Sequence, residues 1–254
     1  MSTQVMPVPP SQPAPQGKPR SRTVMIAVIS VLAVLAILIA GDRVANAVAQ
    51  NTLAGALQSE LSTATKPKVH LGGFPFVTQA LSGSFSSVRV TADNASVDSG
   101  DTTVAIAHLD ATLTSITATD RYQNIVAGRG QASALLDWAS ISALVGQQMS
   151  YDTDGDGRMR MDFNVPIGQL NIEGHITGQL TLDVAQQTIA ITNPQVSVAS
   201  LNVPQSVVDA VSQVVLRPYS LRDLPYDIQV TGLTAQPDGV LLSGTGQNIP
   251  LRGQ

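Results

Sequence analysis

The run LNIEGHITGQLTLDV, residues 170–184, alternates without a break. Leu170, Ile172, Gly174, Ile176, Gly178, Leu180, Leu182 and Val184 share one parity. Asn171, Glu173, His175, Thr177, Gln179, Thr181 and Asp183 hold the other. Side chains of a strand alternate between two faces, so this period predicts one long strand with an oily side and a wet side. Its 15 residues exceed an ordinary strand of about 5–6. Gly174 and Gly178 sit on the apolar side, where a missing side chain permits a bend or a close neighbour.

The same pattern continues outward in both directions. Met159, Met161, Phe163 and Val165 alternate just before the run, and Ile189 with Ile191, Val196 with Val198, and Ile228 with Val230 follow it. Val88, Val90 and Ala92 alternate with Arg89 and Thr91. Val104 and Ile106 share one parity, and Leu109, Ala111 and Leu113 take the other. A strand that changes parity needs a bulge or kink, here near Ala107-His108. Asp238-Gly239 between apolar runs predicts a closing hairpin. Two helices interrupt the strands: 133–145, with Leu135, Trp138, Ile141 and Val145 at helical spacing, and 204–216, which opens on Pro204.

Thr23 to Ala40 carries no charge over 18 residues. At about 1.5 Å per residue such a helix just spans a hydrocarbon core of about 30 Å. Lys18, Arg20 and Arg22 precede it, while Asp42 and Arg43 follow and cancel. The positive-inside rule then keeps the N-terminus in the cytoplasm and exports the rest. A cleaved signal peptide is the alternative, with Ala45-Asn46-Ala47 as its small-x-small site. The expected organisation is a proline-rich cytoplasmic tail at 1–22, an anchor at 23–41 and an extracytoplasmic domain at 42–254. An amphipathic helix over 42–61, with Val44, Val48, Leu57 and Leu61 near one face, leads into that domain.

Composition narrows the function. Charged residues are 13% of the chain and the net charge is -4. No basic surface suited to a phosphate backbone follows from this, so nucleic acid is not an expected partner. With no cysteine, disulfides, zinc-thiolate sites and thiol nucleophiles are excluded. His70, His108 and His175 stand apart from one another. No nucleophile-elbow serine or phosphate loop is present, so neither an enzyme nor a cofactor site is expected.

Asp152, Asp154 and Asp156, followed by Gly157, match the start of a calcium loop. The twelfth position is Phe163 where a bidentate Glu is required. A tight turn between two strands accounts for the same residues. Calcium binding, or a carboxylate cluster joined by Glu173, is the lesser alternative.

The stretch GGFPFVTQALSGSFSSVRVTADNASV, residues 72–97, and the closing LPYDIQVTGLTAQPDGVLLSGTGQNIPL, residues 224–251, resemble the LmeA-like phospholipid-binding family of actinobacterial cell-envelope proteins. The resemblance extends over about residues 42–251. It implies an exported domain that binds phospholipid, with phosphatidylinositol-type lipids a candidate class, and that supports envelope lipid or lipoglycan assembly. It also implies similarity to tubular lipid-binding domains.

The fold expected from both lines is α+β. An N-terminal transmembrane helix is followed by a long, curved antiparallel β-sheet wrapped around one or two apolar helices. Phe74, Phe76, Leu81, Leu135 and Trp138 are the candidate lipid contacts. A structural envelope domain with a filled core and no ligand is the alternative.

Overall fold

A computed structural model of the chain describes residues 20–99, 102–153, 157–167, 170–198, 218–221 and 228–252. The expected helix at 204–216 therefore lies outside the described residues, as do Asp154 and Asp156. The chain divides into two compact units, Met1–Asp42 and Arg43–Gln254.

Helix α1 runs unbroken from Arg20 to Glu60. Within it, the stretch from Val28 onward is long and apolar enough to cross a membrane. Its later turns belong to the second unit. There the packed side is Ala45, Asn46, Ala49, Ala54 and Leu57, whereas Val44 and Val48 are exposed. The sequence suggested that Val44 and Val48 would face inward. Small side chains win that face because they let the helix backbone approach the sheet closely. Asn46 is buried among them and donates Nδ2–H to the Leu71 carbonyl at 3.2 Å, which removes the cost of burying its amide.

Sheet A has the order β1-β2-β3-β4-β11-β10. These strands are Lys68–Gly72, Ser84–Ser99, Thr102–Thr119, Asn124–Leu136, Gly239–Arg252 and Gln229–Gln236 in that order. Every neighbouring pair is antiparallel. Sheet B has the order β5-β6-β7-β8-β9, made by Gln148–Tyr151, Arg158–Ile167, Leu170–Asp183, Thr188–Val198 and Tyr219–Ser220. A short helix, α2 (Phe76–Ser82), lies between β1 and β2, and α3 (Trp138–Val145) lies between β4 and β5. The fold is α+β with an N-terminal apolar helix and curled antiparallel sheets; the alternation alone fitted an ordinary α+β sandwich equally well.

Residues 170–183 of the alternating run form one strand, β7, and Val184 lies beyond it, exposed. From Gly174 to Leu180 its oily parity faces the core of sheet B. Ile176 is fully buried beside Met149, Met159, Met161 and Phe163, and Trp138, Ile141, Leu180, Ile191 and Val196 pack against them. Gly174 is where Phe163 needs room: a Cβ there would stand 2.6 Å from the ring. Gly178 admits Ile191 in the same way, at 2.4 Å.

The helix expected over 133–145 begins later. Residues 133–136 continue β4, and α3 starts at Trp138 because the Asp137 carboxylate accepts the Ser140 N–H at 2.7 Å. Gly146 ends it in the left-handed conformation (φ 73°). The Trp138 indole N–H donates to the Gln236 carbonyl at 3.0 Å, tying α3 to β10.

The parity change read in β3 is present as a register shift between Ile106 and His108 against β4. A second parity change crosses several strands at once. Ser115 (φ 54°) and Asn248 (φ 50°) have left-handed backbone in the middle of β3 and β11, on either side of Gly128 of β4. On each strand the inward residues are three apart across this row: Leu113 and Ile116, Gly130 and Ala127, Gly246 and Ile249. A residue at positive φ breaks the two-residue period, so one kinked row returns aliphatic groups to the same face on both sides of it. Ile116, Ala127 and Ile249 form a buried cluster there, with Phe85, Val88, Leu113 and Ile125 packed against it.

Candidate functional site: an aliphatic trough on sheet A

The inward face of sheet A is built from residues in register. Val88, Leu113, Gly130 and Gly246 are successive partners across β2, β3, β4 and β11. The next rows are Val90, Ala111, Ala132 and Gly244, then Ala92, Leu109, Ala134 and Leu242. Polar rows lie between them on the opposite face: Arg89, Thr112, Gln131 and Thr245, then Thr91, Asp110, Ser133 and Ser243. Strand alternation therefore makes a sheet with one hydrocarbon face and one wet face.

Helix α1 covers only one end of the hydrocarbon face. Ala45, Ala49, Ala54 and Leu57 pack with Val69, Leu71, Val88 and Val90 of β1 and β2. Beyond that contact the floor continues over β3, β4 and β11, where Leu109, Ala111, Leu113, Ala134 and Leu242 are only partly buried and Ala132 is exposed. Alanine and glycine dominate its middle. They keep the surface apolar; Ile249 and Leu113 lie over Gly130 and Ile249 over Gly246, so the exposed part of the floor is centred on Ala132. Among the described residues this leaves a partly exposed aliphatic trough, bounded on the β2 side by α1.

The polar face is ordered by its own pairs. The Arg89 guanidinium donates to the Asp110 carboxylate, with Nε–Oδ1 at 3.0 Å. This hydrogen bond holds the Asp110 carboxyl below the usual carboxylate range. His108 Nδ1 lies 2.6 Å from Asp93 Oδ1. Two concavities open at the surface of the described residues. One, of about 540 Å³, is lined by Arg160, Asp162, Glu173 and His175 near α3 and β6. The other, of about 420 Å³, is lined by Arg129, Gln131, Gln229 and Gln247. Neither has the aliphatic lining of the trough.

The five residues singled out from the sequence do not form one cluster. Phe76 is buried between α1 and β1 in the cluster with Ala54, Val69 and Leu71. Its ring lies 6.2 Å from that of Phe85. Phe74 is 54% exposed, with the Arg43 guanidinium 5.2 Å above its ring. Leu81 is 84% exposed on α2. Leu135 stands on β4 opposite His108 and Leu241, on the face away from the trough. Trp138 packs into the core of sheet B. Sequence reasoning missed the trough because alanines and glycines carry little signal singly. What marks them is their register across four strands.

Asp152, the first member of the calcium-like string, is engaged in a turn. Its N–H donates to the Arg158 carbonyl at 3.0 Å, and its carboxylate lies 3.7 Å from the Arg158 guanidinium. Among the described residues no three His, Asp or Glu side chains gather into a metal-binding group.

A curled antiparallel sheet with a partly exposed hydrocarbon face beside a packed helix is a scaffold that can hold apolar ligands. Residues 40–245 match the LmeA-like phospholipid-binding family, and the chain belongs to that family. No curated protein and no solved structure matches the chain.

Proposed function

We propose that the protein is a membrane-anchored, extracytoplasmic phospholipid-binding protein that holds acyl chains in the trough of sheet A. Family membership supports lipid as the ligand. The observation that carries the location is the run of partly exposed aliphatic rows over β3, β4 and β11 beside α1. Each buried methylene contributes about 0.8 kcal/mol. A dozen methylenes thus contribute roughly 10 kcal/mol before ordering costs, and no charged site is needed. The role is binding rather than catalysis.

The head group stays at the edge of the trough, where selectivity for a phosphatidylinositol type would arise from polar side chains. The chain of events that follows is support of cell-envelope lipid or lipoglycan assembly, with the N-terminus cytoplasmic and the domain outside the membrane. The uncharged run at Thr23–Ala40, flanked by Lys18, Arg20 and Arg22, supports that orientation.

The test is native mass spectrometry of the full chain in mixed micelles with equimolar phosphatidylinositol and phosphatidylglycerol. Retention of phospholipid after detergent removal is the expected result, with phosphatidylinositol enriched. Equal retention of both lipids would remove the head-group assignment, and retention of neither would remove lipid binding.

A further inference from the structure

From Leu71 to Val88 the chain carries no Asp, Glu, Lys, Arg or His. This charge-free stretch contains α2, and α2 is firmly held. Phe76 and Ala80 pack toward α1 and β1. The Gln79 side chain accepts the Ser86 N–H at 2.8 Å, the Tyr122 hydroxyl donates to the Ala80 carbonyl, and Gly83 caps the helix in the left-handed conformation (φ 67°). Yet its other side is apolar and open to solvent. Val77 and Leu81, one turn apart, are exposed, and Phe74 just before the helix is exposed as well. An isolated exposed leucine needs no explanation. Three large apolar groups on a fixed, uncharged element do.

Their position points to the occupant. The Arg43 guanidinium sits over the Phe74 ring at 5.2 Å. Arg43 is three positions past Ala40, the last residue of the uncharged run in α1. Three helical residues rise about 4.5 Å. Arginine and aromatic side chains are favoured at this depth, where hydrocarbon gives way to head groups. Val44 and Val48, also exposed, occupy the first turns after that point. The stretch itself offers no charge, and the charge found at the patch is Arg43, which belongs to the helix that leaves the uncharged run.

We propose that Phe74, Val77 and Leu81 form a membrane contact of the domain in addition to the anchor, entering the lipid interface. The partner is the surface of the bilayer itself. The contact would dock the domain at the membrane and hold α2 against the lipid from which acyl chains are drawn. This rests on the anchored reading given above.

The chain lacks cysteine, so single-cysteine variants of the full chain can be labelled cleanly. Leu35→Cys, Leu81→Cys and Thr181→Cys would each carry an environment-sensitive fluorophore, with one copy reconstituted per phosphatidylcholine nanodisc. Leu81 is 84% exposed, so its replacement leaves the packing intact. Doxyl-labelled lipids should quench position 81, about twofold more from a shallow than from a deep doxyl group. They should quench position 35 from a deep group and leave position 181 untouched. Quenching at 35 with position 81 behaving like 181 overturns the contact while leaving the anchor in place. Quenching at 81 without quenching at 35 supports the contact and removes the anchor. In nanodiscs loaded with two copies, shielding of position 81 from iodide without doxyl quenching would assign the patch to a second copy and overturn the proposal.

Discussion

The Gln187 side chain clamps the backbone of Val230 from both sides. Its Oε1 accepts the Val230 N–H at 2.8 Å and its Nε2 donates to the Val230 carbonyl at 3.0 Å. Gln187 lies in the turn between β7 and β8, and Val230 lies on β10, so this amide joins sheet B to the edge strand of sheet A. Edge strands expose unpaired backbone groups, and the clamp satisfies two of them at a buried residue. Gln187→Ala strips both hydrogen bonds from Val230. The expected cost is about 1–3 kcal/mol, measured by denaturant unfolding of the full chain in micelles. A cost indistinguishable from zero would show that the two sheets hold together without it.

The kinked row Ser115–Gly128–Asn248 makes a second prediction. Asn248 is exposed at φ 50°, so its side chain contributes little packing and its backbone conformation decides what is tolerated. Asn248→Gly should be close to neutral, because glycine adopts this conformation freely. Asn248→Val should destabilise by about 1–2 kcal/mol, because a β-branched residue in left-handed backbone is strained. Equal stability of the two variants would mean that the parity change does not depend on that residue.

The Arg89–Asp110 pair predicts a pH effect. The Asp110 carboxyl is depressed, first by the hydrogen bond from Arg89 and then by its charge. A depressed carboxyl stabilises the fold above its unfolded value and loses that contribution as pH falls through its folded value. Any gain is therefore present at neutral pH and disappears on acidification below the usual carboxylate range. Both side chains are solvent-accessible, so the stability change itself is small. Carbon-13 titration of the Asp110 carboxyl is the direct measurement. Arg89→Ala should move its midpoint up toward the ordinary value, and an unchanged midpoint would contradict the assignment.

Much of this fold is visible in particular residues of the sequence. The alternation of β7 holds over residues 173–183 because antiparallel strands with one wet face impose a strict period. The shift near Ala107-His108 was legible because bulky aliphatics stand on both sides of it. The hairpin between β10 and β11 was marked by Asp238-Gly239. Other features were not legible. The start of α3 depends on Asp137 reaching the Ser140 N–H, while the Leu135–Trp138 spacing suits a helix equally well. The inward face of α1 is set by how closely it approaches β1, which favours Ala45 and Ala49 over Val44 and Val48. The trough floor is a cross-strand property of Ala111, Ala132 and Gly244. Their partnership exists only once the register is known.

The central claim is that acyl chains lie on the floor around Ala132. That residue is exposed and faces the open trough, so a larger side chain fits without a clash in the core. Ala132→Trp should occupy the space an acyl chain would take. The decisive measurement compares native mass spectra of the wild-type chain and Ala132→Trp, purified from the same phospholipid-containing micelles, with circular dichroism and thermal unfolding as controls for folding. The wild-type chain should retain bound phospholipid and the folded variant should lose most of it. A wild-type chain that retains no phospholipid, or a folded variant that retains as much, would contradict the account.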